Sequence, residues 1–397
     1  MKNMFLKLVP WLLLAVFAAE IVTILLPRPD KDLRIQDFGR LPVLLGGRVQ
    51  PFDSMGRNAL LQIRGTASVP LEEKKSYEFW KHPKKLKSTE WLLEVMLNSD
   101  VADTRPLFLA HHPDLLNEFN LRGKGKEKSG LFYFSFNELT NSILAIEKEG
   151  QQVEKVDAQQ RTPYQKQVSK LFNALALYRR LKNSFQHEGT EDFAAELVEF
   201  KKATPAGLAA VKAREAGKEF DKAAFDKLVA LLGNYDFVAR FGYALIVPPA
   251  QPQAAREGWQ NVGQALMDST LHGAELPPAV GWLASMASAY RQNKTAEFNQ
   301  ALHEYQQWLE KNMPSELSKG RQEFFFNNLQ AFLHAMIIYL CAFLLAGGAM
   351  LTMGLWPSGS EAMRRSALYL IMLAWVVHTA GLIFRMWLER RPPVTNL

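Results

Sequence analysis

The chain has 397 residues, 48% of them hydrophobic, with a formal charge of +7 and one cysteine, Cys341. A lone cysteine excludes an internal disulfide, a CxxC redox or zinc motif and a CxxCH haem-attachment site. The 47 Lys and Arg are interleaved with 40 Asp and Glu, as in Lys212-Ala-Arg-Glu-Ala-Gly-Lys-Glu. With no single-sign stripe, the charge reads as a solvated surface and not as a nucleic-acid footprint.

Apolar residues gather at the two ends, and the middle carries most of the charge. Residues 8 to 26 are nearly all apolar and approach the roughly 20 needed to cross a bilayer core. Lys2 and Lys7 with Val16-Phe17-Ala18 have the form of a signal peptide. The apolar run continues past that site to Leu26, which favours an uncleaved anchor over residues 1–27. Glu20 is then either close to the outer interface or in polar contact with another helix.

Residues 41–65 are dense in turn and cap signals, with Gly46-Gly47-Arg48, Pro51, Asp53, Ser54 and Arg57 close together. Pro51 favours extended chain before it, and Asp53 or Ser54 can cap a helix running to about Ile63. Two readings stay open: a loop leading to an amphipathic helix, or a docking element in which Arg48 and Arg57 reach phosphates, propionates or partner carboxylates.

Residues 28–325 read as one mainly helical extramembrane domain. Thr162 to Phe185 places Tyr164, Val168, Leu171, Phe172, Leu175, Tyr178 and Leu181 on a helical stripe. Similar stripes recur at 90–97, 193–200, 223–232, 259–271 and 298–309, and Leu131-Phe-Tyr-Phe looks strand-like. Loops are expected at Arg122–Gly130, Ala203–Gly207 and Val247–Gln253, where Gly and Pro cluster. His111-His112 has no spaced partners for a metal, and His82, His187, His272 and His303 are isolated. No phosphate loop, dinucleotide fingerprint or nucleophile elbow occurs, so an independent hydrolase has no catalytic constellation to rest on.

Residues 329–356 and 366–388 are two further spans, joined by a loop at Pro357–Arg365 into an antiparallel hairpin within 326–397. Ala346-Gly347-Gly348-Ala349 suits close helix contact in lipid. Lys2, Lys7, Arg364 and Arg365 favour a cytoplasmic amino terminus and an exterior middle domain, although Arg385, Arg390 and Arg391 oppose this. Three spans are few for a transport pathway.

Within the last span, Trp375, His378, Gly381, Leu382 and Arg385 lie near one helix face. That face suits a haem, with His378 as iron ligand, glycine and leucine as the flat contact and Arg385 on a propionate. The competing reading is a histidine hydrogen-bonded to Tyr339 or Thr352. His334 is expected to be interfacial, and a bis-histidine site with His378 requires helix tilt.

His378-Thr379-x-Gly381-Leu-x-x-Arg385-x-Trp387, followed by Pro393-Val-Thr-Asn396-Leu397, resembles the cytochrome c assembly proteins of system II. The leader Gly47-Arg48-Val-Gln-Pro51-Phe-Asp53-Ser54-x-x-Arg57 is similar to one in fused or extended members. The resemblance implies a multi-pass protein of the bacterial inner membrane with its large domain in the periplasm. It further implies haem as cofactor, His378 as its ligand, and Pro393 and Asn396 as the start of a periplasmic motif. Its partners are then apocytochrome c and a further assembly module, with this chain the non-catalytic amino-terminal part of a haem lyase. The family's Trp-rich haem loop is absent, since the nine Trp are scattered. The alternative is a cofactor-free, membrane-anchored scaffold.

Overall fold

The structure is a computed structural model describing residues 2–26, 32–72, 78, 80–81, 83–128, 130–249 and 258–389. Two compact units divide the chain: Met1–Pro29 with Arg321–Leu397, and Asp30–Gly320. In chain order the elements begin with α1 (Lys2–Leu25), α2 (Ile35–Gly39), β1 (Pro42–Leu45), β2 (Arg48–Pro51), α3 (Phe52–Arg64), β3 (Ser68–Pro70) and β4 (Lys85–Lys87). There follow α4 (Ser88–Leu97), α5 (Ser99–Ala102), β5 (Phe108–Leu109), α6 (Pro113–Glu118), β6 (Lys126–Lys128), β7 (Leu131–Phe134), α7 (Phe136–Leu139) and α8 (Ile143–Glu154). The rest is helical: α9 (Pro163–Lys182), α10 (Phe193–Glu215), α11 (Lys222–Phe241), α12 (Val262–Leu271), α13 (Ala279–Arg291), α14 (Thr295–Asn312), α15 (Pro314–Leu329), α16 (Ala331–Thr352) and α17 (Pro357–Glu389). The fold is mainly α, and Leu6–Leu25, Pro314–Thr352 and Pro357–Leu388 are long and apolar enough to cross a membrane.

In the Asp30–Gly320 unit the chain turns at Gly46-Gly47, both at positive φ (57° and 75°), which suits the mirror-image turn of a two-residue hairpin. β1 and β2 pair antiparallel, Pro42 opposite Pro51. Pro51, at ψ 155°, delivers the chain into α3, whose residues are largely buried. Phe52 stacks with Phe38 at 4.7 Å, and both rings lie within 6.4 Å of Phe185. Trp91 and Leu92 of α4 and Leu175, Tyr178 and Leu181 of α9 complete the surrounding core.

The stripes expected at α4, α9, α10, α11, α12 and α14 are helices. Thr162 caps α9 through a reciprocal box with Gln165, which explains its sharp start. Leu131–Phe134 is a strand, and Ser135 with Glu138 caps the helix after it.

Three expected loops differ. Residues 126–128 of the Gly/Lys-rich stretch form β6, paired to β7. The expected break at 203–207 does not occur, because α10 runs through with Pro205 inside it. Packing overrides propensity there: a Cβ on Gly207 would fall 2.5 Å from Leu228 of α11, so the two helices meet at close range. Pro357–Arg365 is the start of α17 and not a loop, leaving only Met353–Trp356 as the connection. Proline at a first helical position costs no hydrogen bond, and Glu361 binds Arg364 and Arg365 at 2.8 and 2.7 Å. α13 has no counterpart among the expected stripes; its buried residues are mostly Ala, Val, Leu, Met and Ser, which give little periodic contrast.

In the terminal unit, Gln330 at φ 47° separates α15 from α16. Ala335, Ile338, Ala342 and Ala349 of α16 and Ala367, Leu370 and Ala374 of α17 are all buried. Phe17 and Ile21 of α1 pack on this seam, and Trp11 meets Tyr369 at 5.0 Å. Ser360 donates to the Ala349 carbonyl at 2.7 Å and closes the hairpin.

Two outcomes follow from the Asp30–Gly320 unit. A Cβ on Gly263 would lie 2.3 Å from both Tyr235 O and Ala239 N, backbone atoms of α11 that cannot step aside. Gly263→Ala is therefore expected to destabilise by about 1–3 kcal/mol in denaturant unfolding, exceeding the ~1 kcal/mol helix-propensity gain. His187 contacts Glu196 at 3.1 Å, its other ring nitrogen meets Glu188 O at 3.0 Å, and Asn234 approaches at 3.5 Å. The Glu196 hydrogen bond raises the His187 pKa against opposing burial. Burial pushes Glu196 up, yet His187 and Tyr235 outweigh it and its pKa is lowered. The raised histidine contributes stability below its ordinary value of about 6.5 and loses it as pH rises through the folded value; the lowered Glu196 contributes above its ordinary value. The melting-temperature gap between wild type and His187→Gln should be widest at about pH 5–6.5 and shrink above it. A gap that grows toward alkaline pH contradicts the pairing.

Candidate functional site

His378 is exposed on α17, on the rim of the seam with α16. Its ring meets Phe332 edge-on, centroids 5.6 Å apart at 90°, and Tyr339 at 6.4 Å and 77°. Phe332 and Tyr339 are seven residues apart, so α16 presents both on one face and the imidazole contacts both rings. Among the described residues His378 makes these ring contacts and no hydrogen bond. The alternative partner Thr352 instead donates to its own helix at Gly348 O, 2.7 Å away.

Trp375, 62% exposed, and exposed Arg385 lie on the same helix as His378. The expected flat contact at Gly381 does not exist as open surface. Gly381 is buried, and a Cβ there would meet Ala331 Cβ at 3.0 Å and Phe332 at 3.4 Å. Its small size serves helix contact. Pro393 and Asn396 lie outside the described residues.

His334 belongs to a different environment. Its Nδ1 lies 3.9 Å from Glu20 Oε1 of α1, so the acidic residue of the first span has a partner on α16. Phe332 and His334 are two positions apart, about 200° around a helix. The face of α16 that meets His378 therefore lies opposite the one that carries His334. A haem plane held between the two histidines does not fit this arrangement; a single imidazole ligand at His378 does.

The leader residues are held inside the Asp30–Gly320 unit. Asp53 is 3% exposed; its Oδ1 accepts from Thr89 Oγ1 at 2.9 Å and its Oδ2 from Arg57 Nε at 2.7 Å. Pro51, and not Asp53 or Ser54, occupies the amino-terminal cap of α3, with no side-chain cap bond. A Cβ on Gly56 would sit 2.9 Å from Ser88 O, so α3 meets the start of α4 closely. Arg57 is thus turned to Asp53, and only Arg48 is exposed.

Polar clusters that the sequence does not reveal lie in the same unit. Lys182, with 1% of its side chain exposed, donates to Asp103 Oδ2 at 2.8 Å and to Glu188 Oε1 at 2.5 Å, and lies 4.6 Å from the Phe136 ring centre. Tyr178 donates to Asp103 Oδ1 at 2.8 Å; burial, then the adjacent carboxylate, pushes its pKa well up. These contacts satisfy the buried ammonium and tie α9 to the turn after α5. Arg64, also buried, donates to Pro106 O at 3.1 Å and stacks over Tyr133 at 4.1 Å. His112 packs edge-on to Tyr164 at 5.9 Å. No group of three or more metal-ligating side chains occurs among the described residues.

No protein-family model matches the chain, and no curated protein matches it.

The buried Asp53 separates a structural leader from a docking one. Asp53→Ala removes the acceptor of the Thr89 Oγ1 and Arg57 Nε hydrogen bonds and is expected to cost about 1–3 kcal/mol in denaturant unfolding of the full chain. An unchanged midpoint would show that the carboxylate does not hold α3 to α4.

Proposed function

We propose that this chain is a membrane-anchored component of cytochrome c maturation that holds haem for attachment to apocytochrome c. The observation that carries the reading is His378, an exposed imidazole on an apolar span with ring contacts and, among the described residues, no hydrogen bond. An intramembrane ionisable side chain is costly and marks function. The resemblance of the His378–Trp387 stretch to system II assembly proteins supplies the identity of the ligand.

In this reading His378 offers one ring nitrogen to the iron, and Phe332 and Tyr339 fix the ring's orientation. Trp375 lines the apolar side of the haem. Arg385 lies about 10 Å further along the axis, at seven residues of 1.5 Å rise, and pairs with a propionate. Haem bound there supplies the vinyl groups to which the CxxCH thiols of the apocytochrome are joined. The membrane is the bacterial inner membrane, with the Asp30–Gly320 unit in the periplasm, and a further assembly module completes the site. A second reading, a cofactor-free membrane-anchored scaffold, is favoured by the absorption of Asp53 and Arg57 into a structural contact.

Haem content decides between them. The chain purified from haem-replete membranes, alone and with its assembly partner, is expected to carry a Soret band. His378→Ala should lower it, with haem affinity falling by at least the roughly 10- to 100-fold that loss of an outer-sphere partner costs a metal site. His334→Ala, on the opposite face, should retain it. A colourless wild type, or equal haem in His378→Ala, overturns the haem reading and leaves the scaffold.

A further inference from the structure

The outer face of α13 is flanked by α10 on one side and α14 on the other, and the three form an open groove of about 790 Å³. Its volume falls in the range of about 300–1,000 Å³ typical of ligand sites. Ala195 of α10, Ser285 and Ala289 of α13 and Ala301 of α14 line it, and Trp282 stands among them. Trp282, Ser285, Ala289 and Gln292 follow one another at helical spacing, giving a trough about 15 Å long. Small side chains along a trough let another backbone approach closely, and the indole gives that backbone's side chains an apolar surface.

The charge of the trough opposes that of the chain. Asp192 accepts from Ser288 Oγ at 2.6 Å, Gln292 Nε2 at 3.0 Å and the Ala195 amide at 3.1 Å. Glu304 accepts from Trp282 Nε1 at 3.2 Å and Gln300 Nε2 at 2.7 Å. Both carboxylates are thus fixed by neutral donors, and among the described residues neither has a Lys, Arg or His partner. The Ser288 hydrogen bond, foremost, holds Asp192 below the usual carboxylate range, so it stays ionised. Lys294 and Glu297, 3.3 Å apart, cancel each other. The amino end of α10 offsets roughly half a charge at Asp192. The trough therefore stays net negative on a chain whose formal charge is +7.

We infer that this trough is a docking site for a short positively charged peptide segment of a partner polypeptide. Cationic side chains of the segment reach Asp192 and Glu304, and small or slender residues between them lie on the Ala and Ser floor. Salt bridges at the rim set orientation and approach more than affinity, so the interaction is reversible and weakened by salt. Neither haem nor His378 takes part in it.

The full chain in detergent, titrated with a fluorescent twelve-residue Lys- and Ala-rich peptide, tests it by anisotropy. Saturable binding at about 10–100 µM is expected, as fits a small open site. It should weaken about tenfold or more in Glu304→Lys, where like charges face each other. Ser285→Trp, at a position on the open floor that tolerates the ring, should block it by filling the trough. The same peptide with Glu in place of Lys should not bind. No saturable binding, equal binding of the Glu peptide, or wild-type affinity in both variants overturns the inference. Haem content unchanged in Ser285→Trp keeps this result separate from the His378 test.

Discussion

Close contact between α16 and α17 through small side chains is the constraint on which the membrane unit depends. In lipid there is no hydrophobic drive between helices, so association rests on dispersion and on how near two backbones can come. Ala335, Ala342 and Ala349 on one helix and Ala367, Ala374 and Gly381 on the other permit that approach. Gly348 takes part as well, since a Cβ there would meet Met363 Sδ at 3.3 Å, whereas Gly347 faces open space. A seam of this kind defines the helix faces sharply. Residues that belong to it cannot serve a ligand, and His378 owes its exposure to lying on the rim.

A comparable constraint acts in the Asp30–Gly320 unit through α3. Its hairpin turn, proline and glycine look like a recognition motif when written as a string. Each meets a local physical need. Gly46 and Gly47 supply positive φ, Pro51 an extended φ and ψ, and Gly56 room for Ser88. Asp53 then brings a charge into the core, which is tolerable because Thr89 and Arg57 supply hydrogen bonds and an opposite charge. Phe38, Phe52, Phe185 and Phe298 come from three distant parts of the chain, so this packing also fixes the course of the long helices.

What can be read from the sequence follows from which signals are local. The three long apolar helices, α9 with its Thr162 cap, and the strand at Leu131–Phe134 all declare themselves within a few residues. The continuation of α10 through Pro205 is invisible there, because its cause is Leu228, on another helix. α13 escapes notice because Ala and Ser can be buried as well as Leu, yet give no amphipathic contrast. Glu20 is legible as a residue needing a partner, but nothing local names His334. The acidic trough is a still longer-range object: its carboxylates and floor come from three helices, and no window of sequence contains it.

The two histidines of the membrane unit show how the surroundings of a side chain assign its work. His334 Nδ1 lies 3.9 Å from Glu20 Oε1, so the acidic side chain of α1 has a polar neighbour on α16. This polar contact joins α1 to α16. His378, among the described residues, meets the rings of Phe332 and Tyr339 and makes no hydrogen bond. A donor and a lone pair left without partners in an apolar setting cost about 1–3 kcal/mol. The edge-on contacts with Phe332 and Tyr339 hold the ring in one orientation. Within this unit, then, one histidine lies beside a carboxylate of another helix and the other lies against aromatic rings, and it is on the second that the proposed function rests.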